Sequence, residues 1–147
     1  MAFLATMATL PWTMHERANA KPVKPTWQQL VVTVDDERAV ELARQWDAPF
    51  AVEYAADADI TVSAVSHADL VAGEATRSMD GDRIGGCMLT VENPSDVVML
   101  HELGHCFGLH HDNGHSDSLM YWMQGGDSGA AGVTEHDRAE LRDLYAR

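Results

Sequence analysis

Residues 29–34, QLVVTV, form a β-branched apolar run, which predicts a buried strand. The period then changes. Ala39, Leu42, Ala43 and Trp46 recur at helical spacing, and Asp35, Asp36 and Glu37 supply the negative charge that a helix N-terminus favours, so a helix is predicted over 35–47. Segments 50–54 and 60–65 predict two further strands. Residues 66–84 hold no sustained period and read as a long loop with at most an edge segment. Segment 87–91, CMLTV, predicts another strand, beginning after Gly85-Gly86.

Asn93-Pro94-Ser95 opens the next helix, where proline suits the first turn and Asp96 the positive end of the dipole. From 97 to 109 that helix is apolar nearly all round, which predicts a central, buried position. A glycine-rich loop follows. Thr134 with Asp137 resembles a capping box, and Leu141, Leu144 and Tyr145 share one face of a last helix. No internal repeat is found. The order strand, helix, strands, helix, helix predicts an α+β fold: one mixed sheet of four to five strands with three helices.

Length sets the domain count. The 147 residues suffice for one domain with a real core. The net charge of −13 argues against nucleic acid and anionic lipid as partners, since both select basic surfaces. No apolar run approaches the ~20 residues needed to span a bilayer, so membrane insertion is not expected. Residues 2–10 are apolar, and Ala18-Asn19-Ala20 before Lys21 resembles a cleavage site. Yet no lysine or arginine precedes the apolar stretch. Two readings of 1–20 stay open: a signal peptide with export, or an attached tail on a cytoplasmic or virion-associated protein. Residues 21–26, with Pro22 and Pro25, make a stiff lead-in, and the folded domain is expected over 27–147. Cys87 and Cys106 form no C-x-x-C pair; a disulfide between them is open, and the ordinary reading is two small buried residues.

The chemistry is concentrated in HELGHCFGLHH, residues 101–111. On a helix, His101 and His105 stand on one face a turn apart and can share one metal ion. Glu102 lies about 100° round from His101, too far to be an easy ligand but able to reach a water at the metal. Gly108 sits where a left-handed C-cap belongs, so the helix can stop and the chain can turn to deliver a later histidine. Three imidazoles with one open position make the catalytic form of zinc coordination.

The spacing His101-Glu102-x-x-His105-x-x-Gly108-x-x-His111 resembles that of the metzincin metalloproteases. Ser118-Leu119-Met120-Tyr121 is similar to their Met-turn, and the short gap from His111 to Met120 is like that of the matrixin branch. The likeness extends over 27–147: segment 58–62 resembles a sheet strand of these enzymes, Gly85-Gly86 the turn before the strand leading to the active helix, and Leu144-Tyr145 their last helix. The resemblance implies a metzincin-like zincin fold and a zinc endopeptidase acting on protein or peptide substrates, expected as a monomer. It implies one catalytic Zn2+ held by His101, His105 and His111, with Glu102 as general base and the residues from 121 to about 133 walling the specificity pocket.

Departures from the pattern shape further expectations. Leu89 stands where matrixins place a histidine of a second, structural zinc, so that zinc is not expected. No pro-segment cysteine motif is found. Trp122 occupies the place of the zinc-binding tyrosine of the astacin and serralysin branches, so no fifth ligand is expected there. Asp112 follows the third histidine as in the adamalysin branch. Asp80-Gly81-Asp82 leaves Ca2+ binding open against the ordinary reading of a solvated turn. His67, His115 and His136 read as surface or hydrogen-bonded residues. His110 is not expected to face the metal, because neighbouring side chains in an extended turn point in opposite directions. The competing function is a non-proteolytic binding or assembly module, secreted or virion-associated, which would need the ligands but not Glu102.

Overall fold

The computed structural model describes residues 25–65, 73–92, 95–121 and 130–146. The leader or tail at 1–20, most of the lead-in, His67, Asn93-Pro94, Trp122 and most of the expected pocket wall lie outside the described residues. Five strands, β1 (Val31–Val34), β2 (Ala51–Tyr54), β3 (Ile60–Val65), β4 (Gly73–Asp80) and β5 (Arg83–Glu92), form one mixed sheet in the order β2-β1-β3-β5-β4. Three helices, α1 (Glu37–Ala43), α2 (Asp96–Cys106) and α3 (Glu135–Tyr145), complete the α+β fold, with a 3₁₀ turn at Arg44–Trp46 extending α1.

Alternation places the core on one face of the sheet. Val32 and Val34 of β1, Ile60 of β3 and Leu89 and Val91 of β5 are buried, while Val31, Thr61 and Met88 between them are exposed. α1 packs on β1 and β2, and α2 packs on β4, β5 and α1. β1 and β3 share one residue pair, Val34–Ile60, and side chains extend that short ladder. Asp59 accepts from the Thr33 backbone at 2.8 Å, and Asp35 from that of Val62 at 2.7 Å. Each carboxylate thus satisfies a backbone donor that the brief parallel pairing leaves over.

Segment 66–84 departs from the loop expectation. β4 and β5 form an antiparallel hairpin, with Gly81 at φ +63° as the first residue of its two-residue turn. Glycine at that position is what a II′ turn requires. β4 was hard to see because it is an edge strand whose outer positions, Glu74, Thr76 and Ser78, are polar and exposed. Gly85-Gly86 is correspondingly not a turn. It lies inside β5, where the pairing steps from Ser78–Gly86 to Met79–Ile84 and leaves Gly85 unpaired in a bulge. Asp80 ends β4 and Asp82 is the second turn residue, and among the described residues they join no group of three ligands.

The cysteines also depart from the ordinary reading. Cys87 of β5 and Cys106 of α2 form a disulfide, both buried, because the helix returns over the strand that feeds it. The lead-in is already packed at its end: Pro25 is buried and Thr26 bridges to Arg83. Among the described residues no helix is long and apolar enough to cross a membrane.

Candidate metal centre

Ser95 starts α2 by accepting a hydrogen bond from the Val98 backbone at 3.2 Å. Its end is built around Gly108, at φ +110°. Gly108 N–H donates to the His105 carbonyl and Leu109 N–H to that of Gly104, both at 3.0 Å, which is the Schellman pair of bonds. α2 therefore stops at Cys106 rather than running to Leu109. A side chain at Gly108 would collide with the Pro25 carbonyl, so glycine is needed for space as well as for conformation. Arg77 of β4 adds a bond to the His105 carbonyl at 3.1 Å.

The chain then carries His111 back to the helix. His101, His105 and His111 bring one ring nitrogen each within 4.8 Å of one another, a group that can hold a metal ion. His110 is exposed and belongs to no such group among the described residues. Backbone carbonyls set the tautomers. His101 Nδ1 lies 2.7 Å from the Leu119 oxygen, and His105 Nδ1 lies 2.9 Å from the Leu109 oxygen. A carbonyl can only accept, so each Nδ1 carries the proton and each Nε2 presents a lone pair. His105 Nε2 and His111 Nε2 stand 3.1 Å apart, and two nitrogens at that distance need a proton or a cation between them. Ligands 2.0–2.1 Å from a tetrahedral zinc stand about 3.3 Å apart, so the spacing fits such an ion.

Burial keeps the imidazoles neutral. It pushes His105 down to about 3, against the opposing bond to Leu109, and lowers His101 and His111 as well. Glu102 is buried beside them and moves the other way, to about 7, through burial first and the nearby Glu74 carboxylate second. The start of β4 closes over it. A Cβ at Gly73 would stand 2.8 Å from Val98 Cγ1 and 2.9 Å from Glu102 Cγ.

Below the histidines, Met120 is fully buried against α2, where a Cβ at Gly104 would meet its sulfur at 2.5 Å and the Trp46 ring at 2.7 Å. The turn carrying Met120 closes with Tyr121 N–H on the Ser118 carbonyl at 3.2 Å. Asp137 of α3 holds it in place. Its buried carboxylate accepts from the Ser118 hydroxyl and the Leu119 backbone, and also completes the capping box with Thr134. Burial works to raise Asp137, but the bonds from Ser118, Thr134 and Leu119 outweigh it and hold the group below its ordinary value.

Gly73, Arg77 and Asp137 thus join the site in roles that the chain order did not reveal. Only Asp137 carried a signal, as the cap of the last helix. His115 and His136, read as surface or hydrogen-bonded residues, are indeed hydrogen-bonded, but both to one carboxylate, that of Asp112.

The matrixin family model matches residues 12–146. No curated protein matches the chain. Among solved structures, the GM1-bound form of the ECX AB5 holotoxin is similar at TM-score 0.62 and 13% identity, over 78% of this chain and 80% of that one. At that identity the likeness concerns the fold alone.

Proposed function

Because the chain belongs to the matrixin family, we propose that it is a zinc-dependent endopeptidase, with His101, His105 and His111 holding the metal and Glu102 acting as general base. One observation carries the reading: three imidazole nitrogens converge from a helix and the turn after it, two of them with lone pairs fixed inward by backbone carbonyls. A zinc bound there would supply Lewis acidity and lower the pKa of a water toward about 7.

The protein's own residues supply the rest. Glu102 sits one residue past the first ligand and is buried beside the histidines, a place from which its carboxylate would take a proton from water and later pass it to the leaving amine. Gly73 and Val98 limit where its side chain can go. The substrate would lie extended along β4, the antiparallel edge strand, whose outer side pairs with no other strand among the described residues and suits a peptide. The Asp137 bonds to Ser118 and Leu119 brace the turn whose Leu119 carbonyl orients His101.

A binding or assembly module on the same scaffold would need the histidines but not Glu102. Burying a carboxylate beside the ligands is costly, and a binding module gives no reason to keep one there, which favours the enzyme. The Cys87–Cys106 disulfide favours an oxidising compartment and hence export. Thiol titration of the unfolded, unreduced protein should find no free cysteine.

The decisive experiment is cleavage of a mixed peptide library by the zinc-loaded protein. Internal peptide bonds should be cut, cutting should stop on chelation, and zinc should restore it. A zinc-loaded, folded protein that cuts nothing in the library would leave the binding module as the better reading.

A further inference from the structure

A second set of ligand-type side chains lies next to the first, and the proposed peptidase chemistry uses none of it. Asp112 follows His111 directly, His115 comes later in the same loop, and His136 stands in the first turn of α3. Their ligand atoms lie within 4.8 Å of one another. Asp112 Oδ2 is 2.8 Å from His115 Nδ1 and 2.6 Å from His136 Nε2, and the two rings face each other with centroids 4.0 Å apart. Glu140, one turn further along α3, brings a carboxylate oxygen to 3.8 Å from the same His136 nitrogen.

We propose that Asp112, His115 and His136 form a second divalent-metal site of the zinc type, with Glu140 in reach as a fourth ligand. Two imidazoles and a carboxylate are a borderline-soft donor set, suited to zinc and unlike the all-oxygen sets of calcium and magnesium. The carboxylate is already aimed. Asp112 Oδ1 accepts from the Gly114 backbone at 3.1 Å, and the Asp112 backbone donates to the Met120 carbonyl at 2.9 Å, which leaves Oδ2 turned toward the rings.

As plain hydrogen bonds, both ring nitrogens must place protons on one oxygen. An ion replaces those two protons, which move to the outer nitrogens of the rings or to solvent. The ligand atoms must then spread from 2.6–2.8 Å to about 3.3 Å. His115 can move, because its side chain is 54% exposed. The ion would tie the loop behind His111 to α3. This place is not the one where the matrixin resemblance puts a structural zinc, since Leu89 is buried in the core beneath the sheet.

The inference does not rest on peptidase activity, and the test reads metal alone. Protein carrying one equivalent of zinc is titrated with zinc chloride by calorimetry, and stoichiometry is checked by equilibrium dialysis with metal analysis. Wild type should take up a second equivalent, more weakly than the first. The double variant His115→Ala/His136→Gln should keep the first equivalent and lose the second, whereas His111→Ala should lose the first and keep the second. Should the double variant fail to fold, the exposed His115→Ala alone decides. It should weaken the second equivalent by more than the roughly 10- to 100-fold that removal of an outer partner costs. No second equivalent in wild type, or one that survives these substitutions, overturns the proposal.

Discussion

The two histidine clusters share one loop yet differ in what holds their rings. His101 and His105 are half-buried and donate to backbone carbonyls, which fixes each inner nitrogen as a lone pair. His115 and His136 meet a carboxylate in a more exposed place, and the bond to Asp112 raises the His136 pKa, whereas burial lowers that of His105 to about 3. In the first set, the inner nitrogens of His101 and His105 are already lone pairs, and only the proton between His105 and His111 has to leave; in the second, a metal must displace the protons on both rings. A carbonyl partner outside the ring and low dielectric around it make a strong neutral ligand. A carboxylate inside the cluster makes a hydrogen-bonded group that a metal can convert. The adjacent residues His111 and Asp112 divide between the two clusters, as neighbours in an extended segment do.

The largest effect should separate the paired histidines. His111→Ala should strip zinc and abolish hydrolysis, while His110→Ala should keep one tightly held zinc and substantial activity, losing at most a contact worth about 0.5–1.5 kcal/mol. Zinc affinity and peptide cleavage in a common buffer check both, and a metal-free His110→Ala would reassign the third ligand. Next, Glu102→Gln should retain zinc and fold but lose about 10²- to 10⁴-fold in kcat, the usual worth of a general base. Activity within a few-fold of wild type, with metal bound, would remove Glu102 from that role.

Gly73→Ala tests whether the edge strand sets the base. Its new methyl must displace Val98 or Glu102, and a misplacement of about 1 Å can cost on the order of 10²-fold. Kinetics with zinc content held constant would show it, and unchanged kcat/KM would mean that Glu102 is positioned from elsewhere. The smallest effect concerns Asp137. Its folded pKa lies below the ordinary value near 4, so its contribution to stability is complete above about pH 4 and is lost as pH falls through the depressed value. Urea unfolding of the metal-free protein from neutral to acidic pH should show this loss in wild type. In Asp137→Asn the same loss should be absent, on a stability lower at neutral pH by about 1–3 kcal/mol.

Much of the frame was legible in the chain because its causes are local. The β-branched run before Asp35 marked β1, the spacing of Ala39, Leu42 and Trp46 marked α1, and Thr134 with Asp137 marked the start of α3. Gly108 announced the end of α2, since a left-handed residue is an intrinsic need of that cap, and the spacing of three histidines about that glycine could be read directly. Partners distant in sequence could not. β4 has a polar outer face and takes its identity from pairing with β5; Gly85-Gly86 became a bulge because of that pairing. Whether Cys87 reaches Cys106 depends on how α2 lies across β5. The Gly73 contact with Glu102, the Asp137 brace under the Met120 turn and the meeting of His115 with His136 join segments whose separation carries no periodic signal. Residue type and spacing prescribe what a short stretch can do, while close approach between remote stretches exists only once the chain has packed.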